Sequence, residues 1–220
     1  MAVRPLFVAK DQALPGVEVY PITFQWFAGL STSQKRKSIA ELHSAAVGEG
    51  RCSRPLEISS QSENPLGVAL SAFNLQIVVE LGLASSVESV FQSSKYFDGA
   101  GPFRDLLRAS AREAKKDERL RNSGMLRGFN FGGREWPLLP RTVFYDWLYI
   151  AALQESNYCD ALLTYDGFTD IEFNPAKSVN CQAQAAAVFV SLSKTGEIFP
   201  VRNNPDRFLE VALRMEHRAI

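Results

Sequence analysis

The chain is poor in the residues that build redox or metal frameworks: of 220 residues, three are cysteine and two are histidine. Cys52, Cys159 and Cys181 are widely spaced, odd in number and unaccompanied by nearby histidines, since only His43 and His217 exist. Neither a disulfide framework nor a zinc site is supported, and no cofactor is expected. An excess of either charge is also missing, with 24 Lys plus Arg against 24 Asp plus Glu. That excludes the overall basic field that drives bulk adhesion to nucleic acid, so any such contact must be local. No stretch approaches the roughly 20 apolar residues needed to cross a bilayer. The start, "MAVRPLFVAKDQALPG", lacks the apolar run of an export signal. The expectation is a soluble, cytoplasmic protein with no membrane partner. No low-complexity linker or internal repeat divides the chain, and one domain spanning 1–220 is expected.

What is present is a hydrophobic content of 46%, enough for a real core, arranged in readable segments. "VEVYPITFQWF" (17–27) alternates and is β-branched and aromatic, which suggests one or two strands broken at Pro21. "STSQKRKSIAELHSAAVGEG" starts with hydroxyl caps, spaces Ile39, Leu42 and Ala46 helically and stops at Gly48 and Gly50. Residues 51–67 read as a loop with a short strand at 56–60, and 68–85 is apolar without deciding between helix and strand. Helices are expected over 86–97, over 102–124 from Pro102 to Gly124, over 140–156, over 178–194 and over 205–218. A short strand or extended loop is expected at 168–173, and no element is assigned over 125–139. Within 112–121, five cations against three acids read as a solvated face. Four alanines, Ala183, Ala185, Ala186 and Ala187, would let neighbouring backbones approach closely.

Two helices carry charge where it needs an explanation. In "SVESVFQSSKYF" (86–97), Glu88, Gln92 and Lys95 fall within about 60° of one another on a helical wheel, beside an apolar arc of Val87, Val90, Phe91 and Phe97. Glu88 and Lys95 would lie about 10 Å apart along the axis, too far to neutralise each other. The stripe either faces water or lines a pocket whose third party is a ligand. In "PRTVFYDWLYIAALQES" (140–156), apolar on every side, Asp146 is the one charge inside the apolar run between Arg141 and Glu155, and a buried carboxylate needs a partner. That partner is Arg141, a backbone donor after a Thr142 cap, or a ligand. "SQKRK" places Lys35, Arg36 and Lys37 in the first turn of a helix, against the macrodipole, a conflict that a phosphate would relieve.

The stripe resembles the signature of the NADAR (YbiA-like) superfamily, S-x-E-x-x-F-Q-x-x-K-x-F, carried here by Ser86, Glu88, Phe91, Gln92, Lys95 and Phe97. "LSAF" (70–73) is similar to a second feature of that superfamily, with Ala72 where an asparagine is usual. "SENPLGVALSAFNL", "REWPLLPRTVFYDWLYIAAL" and "FTDIEFNPAKSVNCQAQAAAVFVSL" resemble the members encoded beside DarT-type DNA ADP-ribosyltransferase toxins. The resemblance implies a mainly α fold with a few short strands, mostly near the N-terminus, residues 1 to about 65 being an extension packed on a helical core. It implies an N-glycosidase that removes ADP-ribose from modified guanine in DNA, with ADP-ribosylated DNA or another ADP-ribose-containing molecule as substrate and a DarT-type toxin as its counterpart. A YbiA-like enzyme acting on riboflavin-pathway intermediates and a non-enzymatic toxin-binding antitoxin are the alternatives.

Cleaving a ribosyl C–N bond develops oxocarbenium character, for which a carboxylate beside the ring is needed. Glu88 fits that role, Gln92 could orient water or a ribose hydroxyl, and Lys95 suits a phosphate oxygen or the departing base. Ser71, Phe73, Asp146, Asp170 and Asn180 complete the expected substrate-binding set. Asp170 and Asn180 could hold ribose hydroxyls or serve as core and cap residues.

Overall fold

The structure is a computed structural model that describes residues 1–10, 15–80, 82–201 and 204–216. In chain order it runs through β1 (Ala2–Ala9), β2 (Val17–Phe24), α1 (Thr32–Gly48), β3 (Pro55–Glu57), α2 (Pro65–Ala69), β4 (Gln76–Glu80) and β5 (Leu83–Ser86). There follow α3 (Val87–Ser93), β6 (Lys95–Phe97), a 3₁₀ turn (Arg104–Arg108), α4 (Ala111–Lys116), α5 (Arg119–Asn122) and the hairpin of β7 (Leu126–Phe131) and β8 (Arg134–Trp136). The chain closes with α6 (Val143–Glu155), α7 (Cys159–Leu162), β9 (Gly167–Thr169), α8 (Gln182–Lys194), α9 (Ile198–Val201) and α10 (Pro205–Glu216).

The mainly helical expectation is corrected. The molecule is an α+β mixture, 43% helical and 21% strand, with nine strands in three sheets among the described residues. The expected helix over 86–97 ends at Ser93, and Lys95 begins β6. The expected helix over 102–124 is a 3₁₀ turn and two short helices, and that over 178–194 starts only at Gln182. The final helix reaches Glu216, and positions 217–218 of its expected span lie outside the described residues. Pro21 does not break β2, because it faces Pro5 of β1 and the two missing N–H donors share one rung of the ladder. β9 joins β1 beyond that rung, at Phe7 and Val8.

The largest sheet has the order β2-β1-β9-β3, with β3 and β9 parallel. Alternation along β1 sends Leu6 to one face, where Ile39, Leu42 and Ala46 of α1 pack, and Phe7 to the other, where the larger core lies. That core centres on α6 and α8, and the four alanines of α8 are fully buried. An aromatic cluster fastens α3 and the β7–β8 hairpin to α6: Phe129 lies 4.8 Å from Phe144 and 5.1 Å from Phe91, ring centre to ring centre, and Trp136 lies 4.7 Å from Trp147. The hairpin turns at Gly132 and Gly133, both at positive φ (58° and 78°), the two-residue turn whose twist matches its strands.

Asp146 is buried in the first turn of α6. Its Oδ2 accepts the Thr142 hydroxyl at 2.6 Å, so the partner is neither Arg141 nor a cap N–H, and its Oδ1 has no hydrogen-bond partner. Burial pushes the carboxyl up to about 7 from 3.8. The folded state therefore holds a proton that the unfolded chain has released between about pH 4 and 7, and this group costs stability as pH rises through that window. Asp146→Asn cannot titrate. Its melting temperature relative to the parent is expected to climb from pH 5 to pH 8, following a slope of up to about 1.4 kcal/mol per pH unit. A pH-independent difference between the two melting curves would contradict the assignment.

Candidate functional site

A cavity of about 450 Å³ opens where α3, β6, α4, α6, α8 and the loop after β9 meet. This volume lies within the range of small-molecule sites, about 300–1,000 Å³. Ser71, Phe73, Glu88, Gln92, Lys95, Asp170 and Asn180 all line it. Asp146 does not, because it faces a second, largely apolar cavity beside Thr142 and Phe208, while its neighbour Tyr145, about 100° round α6, faces the first.

The N-terminus of α3 is held on all sides. Ser86 caps it, accepting the Ser89 N–H at 3.1 Å. The Val87 and Glu88 N–H groups, which no helical carbonyl can take, donate to Leu75 and Ala72 carbonyls at 2.9 Å each. Ala72 in turn donates its N–H to Gln182 Oε1 at 2.7 Å, and Gln182 Nε2 donates to the Ile58 carbonyl at 2.6 Å and Asp170 Oδ2 at 3.0 Å. One glutamine side chain thus joins three walls. Ala72, at the position where the superfamily pattern has asparagine, makes its contacts through the backbone.

Glu88 is 5% exposed. Its Oε1 accepts Gln92 Nε2 at 2.7 Å, and Gln92 Oε1 accepts the Lys95 ammonium at 2.7 Å. Only one orientation of the Gln92 amide serves both partners. The stripe read on one helix is therefore a three-residue chain that crosses from α3 to β6, with Gln92 bridging the two charges. Lys95 lies 4.8 Å over the Phe91 ring. Burial lowers its pKa to about 8; Glu88 opposes that shift and Lys115 adds to it.

Lys115 comes from the segment read as a solvated face. It reaches back to Glu88 Oε1 (3.6 Å) and lies 5.1 Å over the Phe73 ring, with its side chain about half exposed. Nothing in a run of mixed charge marks one lysine for such a place. Tyr145, Glu172, Lys177 and Gln182 were also unmarked, although each lines the cavity. Lys35, from the basic turn of α1, pairs with the cavity-lining Glu172 at 2.6 Å, while Arg36 and Lys37 are exposed. Asp170 is almost fully buried, its Oδ1 accepting the N–H groups of Glu172 (3.0 Å) and Phe173 (3.2 Å). Among the described residues, no group of three or more His, Cys, Asp or Glu side chains is placed to hold a metal ion.

The burial of Lys95 has a direct chemical readout. Its acylation by an amine-reactive reagent, followed residue by residue with mass spectrometry, is expected to rise with pH about an inflection near 8, well below that of exposed lysines. An inflection near 10.5 for Lys95 would show that the cavity does not desolvate it.

No curated protein matches the chain. A family model described as "DarT1-associated NADAR antitoxin" matches residues 2–219, nearly the whole length, including every residue of the cavity. The chain belongs to the family of DarT1-associated NADAR antitoxins.

Proposed function

We propose that the protein is an N-glycosidase that removes ADP-ribose from modified guanine in DNA and so reverses the action of a DNA ADP-ribosyltransferase toxin. The observation that carries this reading is the chain Glu88–Gln92–Lys95 along one wall of the cavity, buried at Glu88 and Gln92 and half-buried at Lys95. A carboxylate and an ammonium held apart by a neutral bridge suit a bond that breaks into a cationic sugar and an anionic leaving group.

In this mechanism the C1′–N bond to the guanine amino group breaks while a water oxygen bonds to C1′. Glu88 stabilises the oxocarbenium character and takes a proton from the water, and Lys95 gives a proton to the departing nitrogen. The products are ADP-ribose and unmodified guanine, and exchange with solvent restores both side chains. A lysine that titrates near pH 8 is better matched to proton donation at neutral pH than an ordinary one. Gln92 keeps the two groups apart and oriented. Asp170 and Asn180 are assigned to ribose hydroxyls, Ser71 and Phe73 to the sugar-side wall, and the half-exposed Lys115 to the diphosphate.

Glu88→Gln keeps the volume and can still accept from Gln92, and it gives up an ion pair with a half-exposed lysine that contributes little to stability. The variant is expected to melt close to the parent. Its hydrolysis of ADP-ribosylated single-stranded DNA should fall by about 100-fold or more, equivalent to roughly 2.7 kcal/mol of transition-state stabilisation. Activity within about tenfold of the parent would remove Glu88 from the mechanism. Hydrolysis of riboflavin-pathway intermediates but not of modified DNA would overturn the substrate assignment. Neutralisation of the toxin without turnover of either would overturn the enzymatic reading.

A further inference from the structure

The mechanism makes no use of Glu57, yet this carboxylate is 2% exposed, at the end of β3 behind the cavity. Three donors converge on it. Its Oε1 accepts the Ser59 hydroxyl (2.6 Å) and the Ile171 N–H (2.8 Å), and its Oε2 accepts the Thr169 hydroxyl (2.6 Å). Thr169 Oγ1 also meets His43 Nε2 at 2.8 Å. Because the single Thr169 proton goes to Glu57, His43 must present its N–H at Nε2. Burial lowers the His43 pKa to about 4, so the ring is neutral and brings no charge to the chain.

Asp170 follows Thr169 directly and carries the next carboxyl, lining the cavity. Asp170 feels the charge of Glu57 across a dry interior, where ionising both carboxyls is too costly, so the pair keeps a proton at neutral pH. A proton on Glu57 would require the Ser59 hydroxyl to turn away from its donor role, or Thr169 and His43 both to reverse. On Asp170 it can sit on Oδ2, which accepts only from Gln182 and belongs to a residue on the cavity wall.

We propose that Glu57 is a positioning residue that acts on the substrate through Asp170: its enclosed negative charge keeps Asp170 a hydrogen-bond donor toward the bound ribose. This rests on the glycosidase reading of the cavity. Burial raises both carboxyls; at Glu57 the Ile171 N–H and the Ser59 and Thr169 hydroxyls oppose the rise, and at Asp170 burial and then the charge of Glu57 push the carboxyl up to about 8. The other groups around Asp170 do not take over that task. Glu172, on the same loop, is paired with Lys35 of α1. The Tyr145 and Tyr149 phenols of α6 and the Cys181 thiol before α8 are raised far above their usual range by burial and stay neutral. Glu88, Lys95, Lys115 and Lys177 line the cavity itself.

Glu57→Gln is the sharpest probe, because its amide oxygen and one of its two N–H groups find partners in place. Oε1 keeps the Ser59 and Ile171 donors, and Nε2 can donate to Thr169, which then donates to His43 in its other tautomer. Carboxyl NMR on ¹³C-aspartate-labelled protein, with the Asp170 resonance assigned by Asp170→Asn, is expected to show Asp170 titrating near pH 8 in the parent and at least about one unit lower in Glu57→Gln. The alkaline limb of kcat/KM on ADP-ribosylated single-stranded DNA should move down with it, while the rate at pH 6 stays within about threefold. An Asp170 titration that Glu57→Gln leaves in place would overturn the proposal. The NMR measurement needs no turnover, so an inactive parent would sink the glycosidase reading and still leave the role of Glu57 decided. If Glu57→Gln fails to fold by circular dichroism, Asp170→Asn against Asp170→Ala decides. An amide retains a donor, although its N–H meets the Gln182 N–H where Oδ2 accepted, so the asparagine variant is expected to keep clearly more activity than the alanine variant, with Lys95 holding the alkaline limb near pH 8. Equal loss in both would mean that an ionised Asp170 is required.

Discussion

The burial of Glu88 is the constraint around which the rest of the molecule is arranged. A carboxylate removed from water needs donors and positive charge supplied by the protein. It finds them in the Gln92 amide, the Lys115 ammonium and the positive end of α3, on whose first turn it sits. Each requires something further. Gln92 is oriented by Lys95, and Lys95 is placed by the pairing of β6 with β7, opposite Phe129. The first turn of α3 keeps its N–H groups satisfied through the Leu75 and Ala72 carbonyls, and the Ala72 segment is fixed by Gln182. One buried charge thereby links α3, the segment between α2 and β4, the β6–β7–β8 sheet and the start of α8.

Rigidity around that network comes from apolar packing. Phe91 lies between Phe129 and the Tyr145 ring, both 5.1 Å away, so the apolar face of α3 beside its charges is locked to the hairpin and to α6. The alanine run of α8 lets it lie close to α6 and the sheet, bringing Gln182 and the β9 loop against α3. A similar closeness holds α2 beneath the cavity: a Cβ added at Gly67 would stand 2.0 Å from the Glu57 carbonyl oxygen and 2.5 Å from Ser62 Oγ. Any side chain there would push α2 away from β3 and disturb the strand that carries Glu57.

Long-period features were legible in the sequence and short strands only in part: β3 and β9 lie at the strands expected near 56–60 and 168–173, whereas β6, β7 and β8 had no such reading. The spacing of Ile39, Leu42 and Ala46 marks α1, and the apolar run from Val143 marks α6, because a helix repeats its signal over many residues. β6 has three residues and follows α3 after one, so the helical pattern ran straight through it. Pro21 suggested a break within 17–27 until its partner Pro5 in β1 came into view. The β7–β8 hairpin did carry a signal, two glycines between aromatic residues in "FNFGGREW", which went unused. In the cavity, motif residues were legible as a group because chemistry constrains their types. Lys115 and Gln182 were not, since their importance lies only in what folding brings beside them.

The cavity holds carboxyls in two electrically opposite settings, and this division outweighs any single contact. Glu88 meets two ammonium groups, one directly and one across Gln92. Asp170 meets backbone N–H groups and Gln182, with another carboxylate behind it. Cations nearby favour a charged carboxylate, and an anion nearby favours a protonated one. In the proposed reaction one wall would supply negative charge where the sugar becomes cationic, and the other a proton where a hydroxyl needs a donor. Two groups of the same chemical type can play unlike parts at one pH only if the fold separates their surroundings. Here that separation follows from topology: Glu88 starts a helix facing α4 and β6, whereas Asp170 leaves a strand paired with the one that ends in Glu57.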